Sequence, residues 1–175
     1  MTRLFVIGGA RSGKSAYAQE RVEAVPGRLG FIATAQALDR EMDQRIARHK
    51  RDRGPRWRTF EAPIDLPDAL GEAARSSDAV LIDCLTLWLS NLMLTKCDVD
   101  TMTRGLVSAM AACPVPLALV ANEVGMGIVP ENALARRFRD EAGRLNKVIA
   151  AIAQEVVLVT AGIPLFLKGP AMEID

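Results

Sequence analysis

Leu4-Phe5-Val6-Ile7 runs directly into Gly8-Gly9-Ala10-Arg11-Ser12-Gly13-Lys14-Ser15, and this junction decides how the chain is read. The apolar run makes a short buried strand, and the residues after it fit G-x-x-x-x-G-K-[ST] without a mismatch. The glycines let backbone N–H groups close around a polyphosphate, Lys14 reaches the outer phosphates, and the Ser15 hydroxyl is placed to bind Mg²⁺. A helix from about Lys14 to Val25 aims its positive end at the same anion and stops at Pro26-Gly27. A glycine-rich turn with a chance lysine would need neither the strand nor the helix. The expectation is a nucleoside triphosphate held by Gly8, Gly9, Ala10, Arg11, Ser12, Gly13, Lys14 and Ser15.

Outward from this loop the chain alternates apolar strands with helices. Leu29–Ala33 is a second buried strand with Thr34-Ala35 at its carboxyl end. Leu38, Met42 and Ile46 recur at four-residue spacing, which predicts a helix over Leu38–Arg53, stopped by Gly54-Pro55. Trp57–Phe60 reads as a short strand or extended link and Leu66–Arg75 as a polar helix. Ala79–Ile82 is a fully apolar strand ending at Asp83-Cys84, and one or two helices fill Leu85–Ala112. Leu117–Ala121 is another strand, followed by the glycine-rich loop Asn122–Pro130. The longest helix comes next, with Leu134, Phe138, Leu145, Ile149 and Ile152 as its core stripe. Val156–Val159 and Leu165–Leu167 close the chain as strands around Gly162. Buried, non-alternating strands separated by helices indicate an α/β fold, a mainly parallel sheet with helices on both faces. No linker or repeat interrupts residues 1–175, so one nucleotide-binding domain is expected.

Composition narrows the partners. The 175 residues carry 22 basic and 21 acidic side chains, leaving no global field to attract nucleic acid or an anionic membrane. Cys84, Cys97 and Cys113 are odd in number and lack C-x-x-C spacing, so neither a disulfide frame nor a zinc site is indicated. The apolar stretch Ala79–Leu94 is interrupted by Asp83, Ser90 and Asn91 and does not read as a membrane span. With no signal peptide ahead of the first strand, a cytoplasmic protein is expected.

In an open parallel sheet, ligands bind at the carboxyl ends of the strands. The phosphate loop, Thr34, Asp83 and Asn122-Glu123 all fall there. Asp83 is placed to hold Mg²⁺ beside Ser15; the alternative is an N-cap for the helix starting at Leu85. Glu123 can bind metal, take a proton from a substrate hydroxyl, or orient its own glycine-rich loop. Arg45–Arg58 holds seven Lys or Arg in fourteen positions with Asp52 as the only acid, and His49, the chain's only histidine, lies among them. On a helix His49 continues the inward stripe of Met42 and Ile46, with Arg45 and Arg53 flanking it at i−4 and i+4. An imidazole ringed by guanidiniums suits attack on a phosphate, since cations lower its pKa and keep the neutral nucleophile. A histidine half-buried at a helix end is the competing reading.

Gly8–Ser15, Glu41–His49, Trp57-Arg58-Thr59, Asp83–Thr86 and above all Asn122-Glu123-Val124-Gly125-Met126-Gly127-Ile128-Val129-Pro130 closely resemble the bifunctional adenosylcobinamide kinase/adenosylcobinamide-phosphate guanylyltransferase family of cobalamin biosynthesis. The resemblance covers essentially the whole chain, in order. It implies a cytoplasmic transferase of RecA-like P-loop NTPase architecture with two activities. One phosphorylates adenosylcobinamide from ATP or GTP. The other transfers GMP from GTP to adenosylcobinamide phosphate, giving adenosyl-GDP-cobinamide and pyrophosphate through a guanylyl-histidine intermediate. His49 matches the family's nucleophile, which makes His49, Lys14 and Glu123 the catalytic candidates. Nucleotide contacts are implied at residues 8–15, Ala33, Thr34, Ala35, Lys50, Arg51, Asp52, Arg53, Glu61 and Asp83, with Mg²⁺ on Ser15 and Asp83. A homotrimer is also implied. Two rivals stand beside this reading: a monofunctional P-loop small-molecule kinase and a GTP-binding regulatory module. The nearest guanine-reading candidate for the latter, Asn146-Lys147, lacks the needed aspartate and falls mid-helix.

Overall fold

A computed structural model describes residues 2–35 and 54–169. Seven strands form one sheet: β1 (Arg3–Gly8), β2 (Leu29–Ala33), β3 (Trp57–Glu61), β4 (Ala79–Asp83), β5 (Leu117–Asn122), β6 (Glu155–Thr160) and β7 (Ile163–Lys168). Their spatial order is β3-β2-β4-β5-β1-β6-β7. Every pairing is parallel except that of β6 with β7. The expected α/β architecture is therefore the observed one. Trp57–Phe60, open between strand and link in the sequence, lies in β3, a parallel edge strand on β2.

The apolar runs of β1, β2, β4 and β5 lack alternation because these inner strands are buried on both faces, whereas the edge strands β3 and β7 are largely exposed. Leu4 and Val6 point to a core with Ala18 and Val22 of α1 (Lys14–Glu23), whereas Phe5 points to the opposite core. That second core is larger. It is covered by α2 (Leu66–Ser76), α3 (Leu85–Leu94), α4 (Val99–Ala112) and α5 (Ala133–Ile152), and it contains Leu70, Trp88, Leu106 and Leu145. Helix starts follow their local chemistry: Asp98 accepts N–H bonds from Asp100 and Thr101 ahead of α4, and Asn132 accepts one from Ala135 ahead of α5.

One expectation changes. Leu134 leaves the predicted core stripe, being 56% exposed. The first turns of α5 face the end of α3 across an open groove lined by Met93, Leu94, Leu134 and Phe138, while the buried stripe is Ala142, Leu145 and Ile149. The last strand turns back antiparallel because Ala161 and Gly162 both have positive φ, 53° and 80°, the geometry of a two-residue hairpin turn. The predicted helix Leu38–Arg53 lies outside the described residues.

Candidate functional site

The phosphate loop joins β1, the immediate neighbour of the sheet's middle strand β5, to α1. Arg11 (φ 57°) and Gly13 (φ 95°) take left-handed backbone conformations, which turns the loop's N–H groups inward as an anion nest. Gly13 precedes α1 without any side-chain cap, and the first turn of α1 carries no acid. The helix's positive end is thus left for a ligand. Lys14 is only 9% exposed, and its Nζ donates to Gly9 O at 3.3 Å. The loop is also propped from outside: the hairpin turn reaches it through Gly162 N donating to Ser12 O at 2.9 Å.

Gly8 is sterically required. A Cβ there would collide with Val159 O and stand 2.6 Å from Ser12 Oγ, whereas a Cβ on Gly9 meets nothing within 4 Å. Gly8→Ala should cost about 1–3 kcal/mol of overpacking, or roughly 2–12 °C in Tm for a domain of this size. Gly9→Ala should leave Tm near the wild-type value. Thermal denaturation of both variants checks this; equal Tm values would refute the packing argument.

The neighbouring strand ends complete the site. Glu61, Ala33 and Asp83 stand side by side in register, and Asn122 pairs with Gly8. Glu123 N donates to Gly8 O at 3.0 Å, so the Asn122–Pro130 loop leaves the sheet beside the phosphate loop. Glu123 Oε1 accepts from Gly125 N at 2.5 Å, which realises the loop-orienting role among those the sequence allowed. Asp83 is half-buried at the end of β4, and the peptide joining it to Cys84 is cis. The residue in the N-cap position of α3 is Cys84, so Asp83 is not that helix's N-cap. Burial first, and then the Asp83 carboxylate, push the Cys84 thiol up to about 11. This cysteine is no nucleophile at neutral pH.

The structure therefore brings together residues 8–15, Ala33, Thr34, Ala35, Asp83 and Glu123 on the carboxyl edge, with exposed Glu61 on the adjoining edge strand. His49, Lys50, Arg51, Asp52 and Arg53 lie outside the described residues. Ser15 and Asp83 offer one hydroxyl and one carboxylate, and among the described residues no group of three His, Cys, Asp or Glu is fit to hold a metal. This oxygen-only, ligand-poor set fits Mg²⁺, which keeps waters and takes further ligands from phosphate.

Sequence reasoning missed the buried polar groups behind this edge. Thr86 Oγ1 accepts from Asn122 N at 2.7 Å, and Asn146 Nδ2 donates to Asn122 O at 3.3 Å. Asn91 Nδ2 donates to Thr34 O and Pro63 O at 2.8 and 3.0 Å. A polar residue inside an apolar helix was the available signal for Asn91 and Thr86. Of the stretches able to face a large substrate, α3 commits Leu85, Leu89 and Leu92 to the core. Met126, Ile128 and Val129 of the Glu123 loop are 80%, 96% and 59% exposed.

Known proteins match the chain along nearly its whole length. Residues 4–167 match the family model described as cobinamide kinase / cobinamide phosphate guanyltransferase. The bifunctional adenosylcobalamin biosynthesis protein CobP of Pseudomonas aeruginosa is 45% identical over 172 residues, 95% of this chain and 98% of the relative. The CobU protein of Salmonella typhimurium, named in the same terms, is 43% identical over 180 residues, 94% of this chain and 99% of the relative. A KaiC-like protein from Pyrococcus horikoshii shares the fold at a TM-score of 0.54 and 13% identity, over 90% of this chain and 70% of that one.

Proposed function

Because the chain belongs to the cobinamide kinase / cobinamide phosphate guanyltransferase family, we propose that it performs both reactions with a single nucleotide grip. In the kinase reaction the γ-phosphoryl group of ATP or GTP passes directly to the substrate's hydroxyl. In this reading Lys14 neutralises the outer phosphates, the loop N–H groups orient them, and Glu123 takes the hydroxyl proton. In the transferase reaction an imidazole nitrogen of His49 attacks the α-phosphorus of GTP. An N–P bond forms, the bond to the bridging oxygen breaks, and pyrophosphate leaves. A phosphate oxygen of the phosphorylated substrate then attacks the same phosphorus, and neutral His49 is regenerated as the N–P bond breaks. Ser15 and Asp83 would hold Mg²⁺, which supplies charge neutralisation of the phosphates.

The observation that carries the reading is the grouping of the phosphate loop, Asp83 and Glu123 on one sheet edge, in a chain matched from residue 4 to 167 by the family model. Met126, Ile128 and Val129 are the residues we assign to the corrinoid's apolar face. Incubation with GTP labelled at the α-phosphate should leave an acid-labile, base-stable label on the protein, discharged by adenosylcobinamide phosphate. Kinase activity without such an adduct would reduce the protein to a small-molecule kinase. Slow hydrolysis with no acceptor would make it a regulatory GTP-binding module. No helix among the described residues is long and apolar enough to cross a membrane.

A further inference from the structure

Thr34 stands at the carboxyl end of β2, yet its side chain is turned into the protein. Its hydroxyl is fully buried, donates to Cys84 O at 2.7 Å and accepts from Cys84 N at 2.9 Å. Its carbonyl is fixed by the buried Asn91 amide at 2.8 Å, and its N–H donates to Asp83 O at 3.4 Å. Thr34 thus ties both the side chain and the backbone of one strand end to the residues that terminate β4. The ladder between β2 and β4 ends at Ala33 and Asp83, so these contacts extend beyond what sheet pairing supplies. In a low-dielectric interior, a hydroxyl bonded to both polar groups of one residue leaves that residue a single orientation.

We infer that Thr34 is a positioning residue: its hydroxyl, clasped to the N–H and C=O of Cys84 and backed by Asn91, holds the turn on which Asp83 stands. The inference rests on the reading of Asp83 as the metal-holding acid. Thr34, itself buried, acts on the nucleotide through that acid. The phosphate loop is built on β1 and α1, so its grip persists when the Thr34 hydroxyl is removed. What weakens is the part of nucleotide binding that passes through the metal.

The test is calorimetric titration of GTP into wild type, Thr34→Val, Thr34→Ser, Asp83→Asn and the Thr34→Val/Asp83→Asn pair, each in EDTA and in excess Mg²⁺. In EDTA, Thr34→Val and Thr34→Ser should bind within about twofold of wild type, and the two variants lacking the Asp83 carboxylate, which repels a metal-free triphosphate, should bind no more weakly than wild type. In Mg²⁺, Thr34→Val should lose about tenfold in affinity, equivalent to about 1.4 kcal/mol. Thr34→Ser should keep wild-type affinity, and the double variant should bind no more weakly than Asp83→Asn alone. A merely structural threonine would lower Tm without separating the metal-dependent from the metal-free affinity. Equal weakening with and without metal, full multiplication of the two single losses, or failure of Thr34→Ser would each overturn the inference. Retention of the whole Mg²⁺ gain by Asp83→Asn would overturn the reading of Asp83 itself, a pattern distinct from loss in Asp83→Asn with none in Thr34→Val. Should Thr34→Val not fold, Thr34→Ala, which leaves room for a water in place of the hydroxyl, supports the same comparison.

Discussion

His49→Ala is expected to abolish guanylyl transfer, by roughly 10⁴-fold or more, as removal of a covalent nucleophile does elsewhere. Phosphorylation of the substrate hydroxyl should stay within about tenfold of wild type, because direct transfer of the γ-phosphoryl group needs no protein nucleophile. Neither another histidine nor Cys84 can stand in for His49. The chain has one histidine, and the cysteine nearest the strand ends is buried with its thiol pushed up to about 11. The two reactions have separate products, so each can be assayed alone: phosphorylated acceptor for the first, pyrophosphate and the guanylylated product for the second. The labelled adduct should vanish together with the second activity. Equal loss of both activities in a folded variant, or survival of transfer, would remove His49 from the mechanism. A basic helix face that merely binds phosphate would reduce both reactions through nucleotide affinity, with higher KM for each and little change in either kcat.

The parallel sheet was legible because its signals are local. Gly8–Ser15 follows a four-residue apolar run, and β4 is apolar at every position up to Asp83. Strand direction at the C-terminus was less legible, since it depends on the backbone of two residues, Ala161 and Gly162, and alanine seldom takes a positive φ. Leu134 misled for a different reason: helical periodicity identifies an apolar face but not how far a helix runs past the sheet that buries it. For the candidate site, residue type and position at a strand end single out Asp83 and Glu123, and the structure sets both at the carboxyl edge of the sheet. The site's wiring was hidden. Thr34 offered itself as a ligand because it follows a strand in the right place, and only the three-dimensional pairing reveals that Cys84 holds its hydroxyl. Sequence separation explains the difference, for the contacts Thr34–Cys84, Asn91–Thr34 and Thr86–Asn122 span 50, 57 and 36 residues. No short pattern encodes them.

Lys14→Ala should cost both reactions, each by roughly 10²–10³ in kcat, the scale of removing one preorganised charge-stabilising donor. The loss is common to both because each reaction leaves charge on the outer phosphates: one transfers the γ-phosphoryl group and the other expels pyrophosphate. This separates Lys14 from His49, whose removal is expected to silence one activity only. The free protein should show the opposite trend in stability. Lys14 is 9% exposed, and its ammonium donates to Gly9 O at a rather long 3.3 Å, so a desolvated cation is held there with modest return until phosphate arrives. Removing it should leave Tm of the nucleotide-free protein unchanged or slightly higher, while eliminating most of the Tm gain that saturating GTP gives wild type. Lys14→Arg should not rescue, because the planar guanidinium is bulkier than the ammonium and differs from it in donor geometry. Thermal denaturation with and without GTP, run beside the two activity assays, checks all of this. A large drop in the Tm of the nucleotide-free Lys14→Ala protein would mean that the ammonium holds the loop together on its own, and that the site is not waiting for an anion.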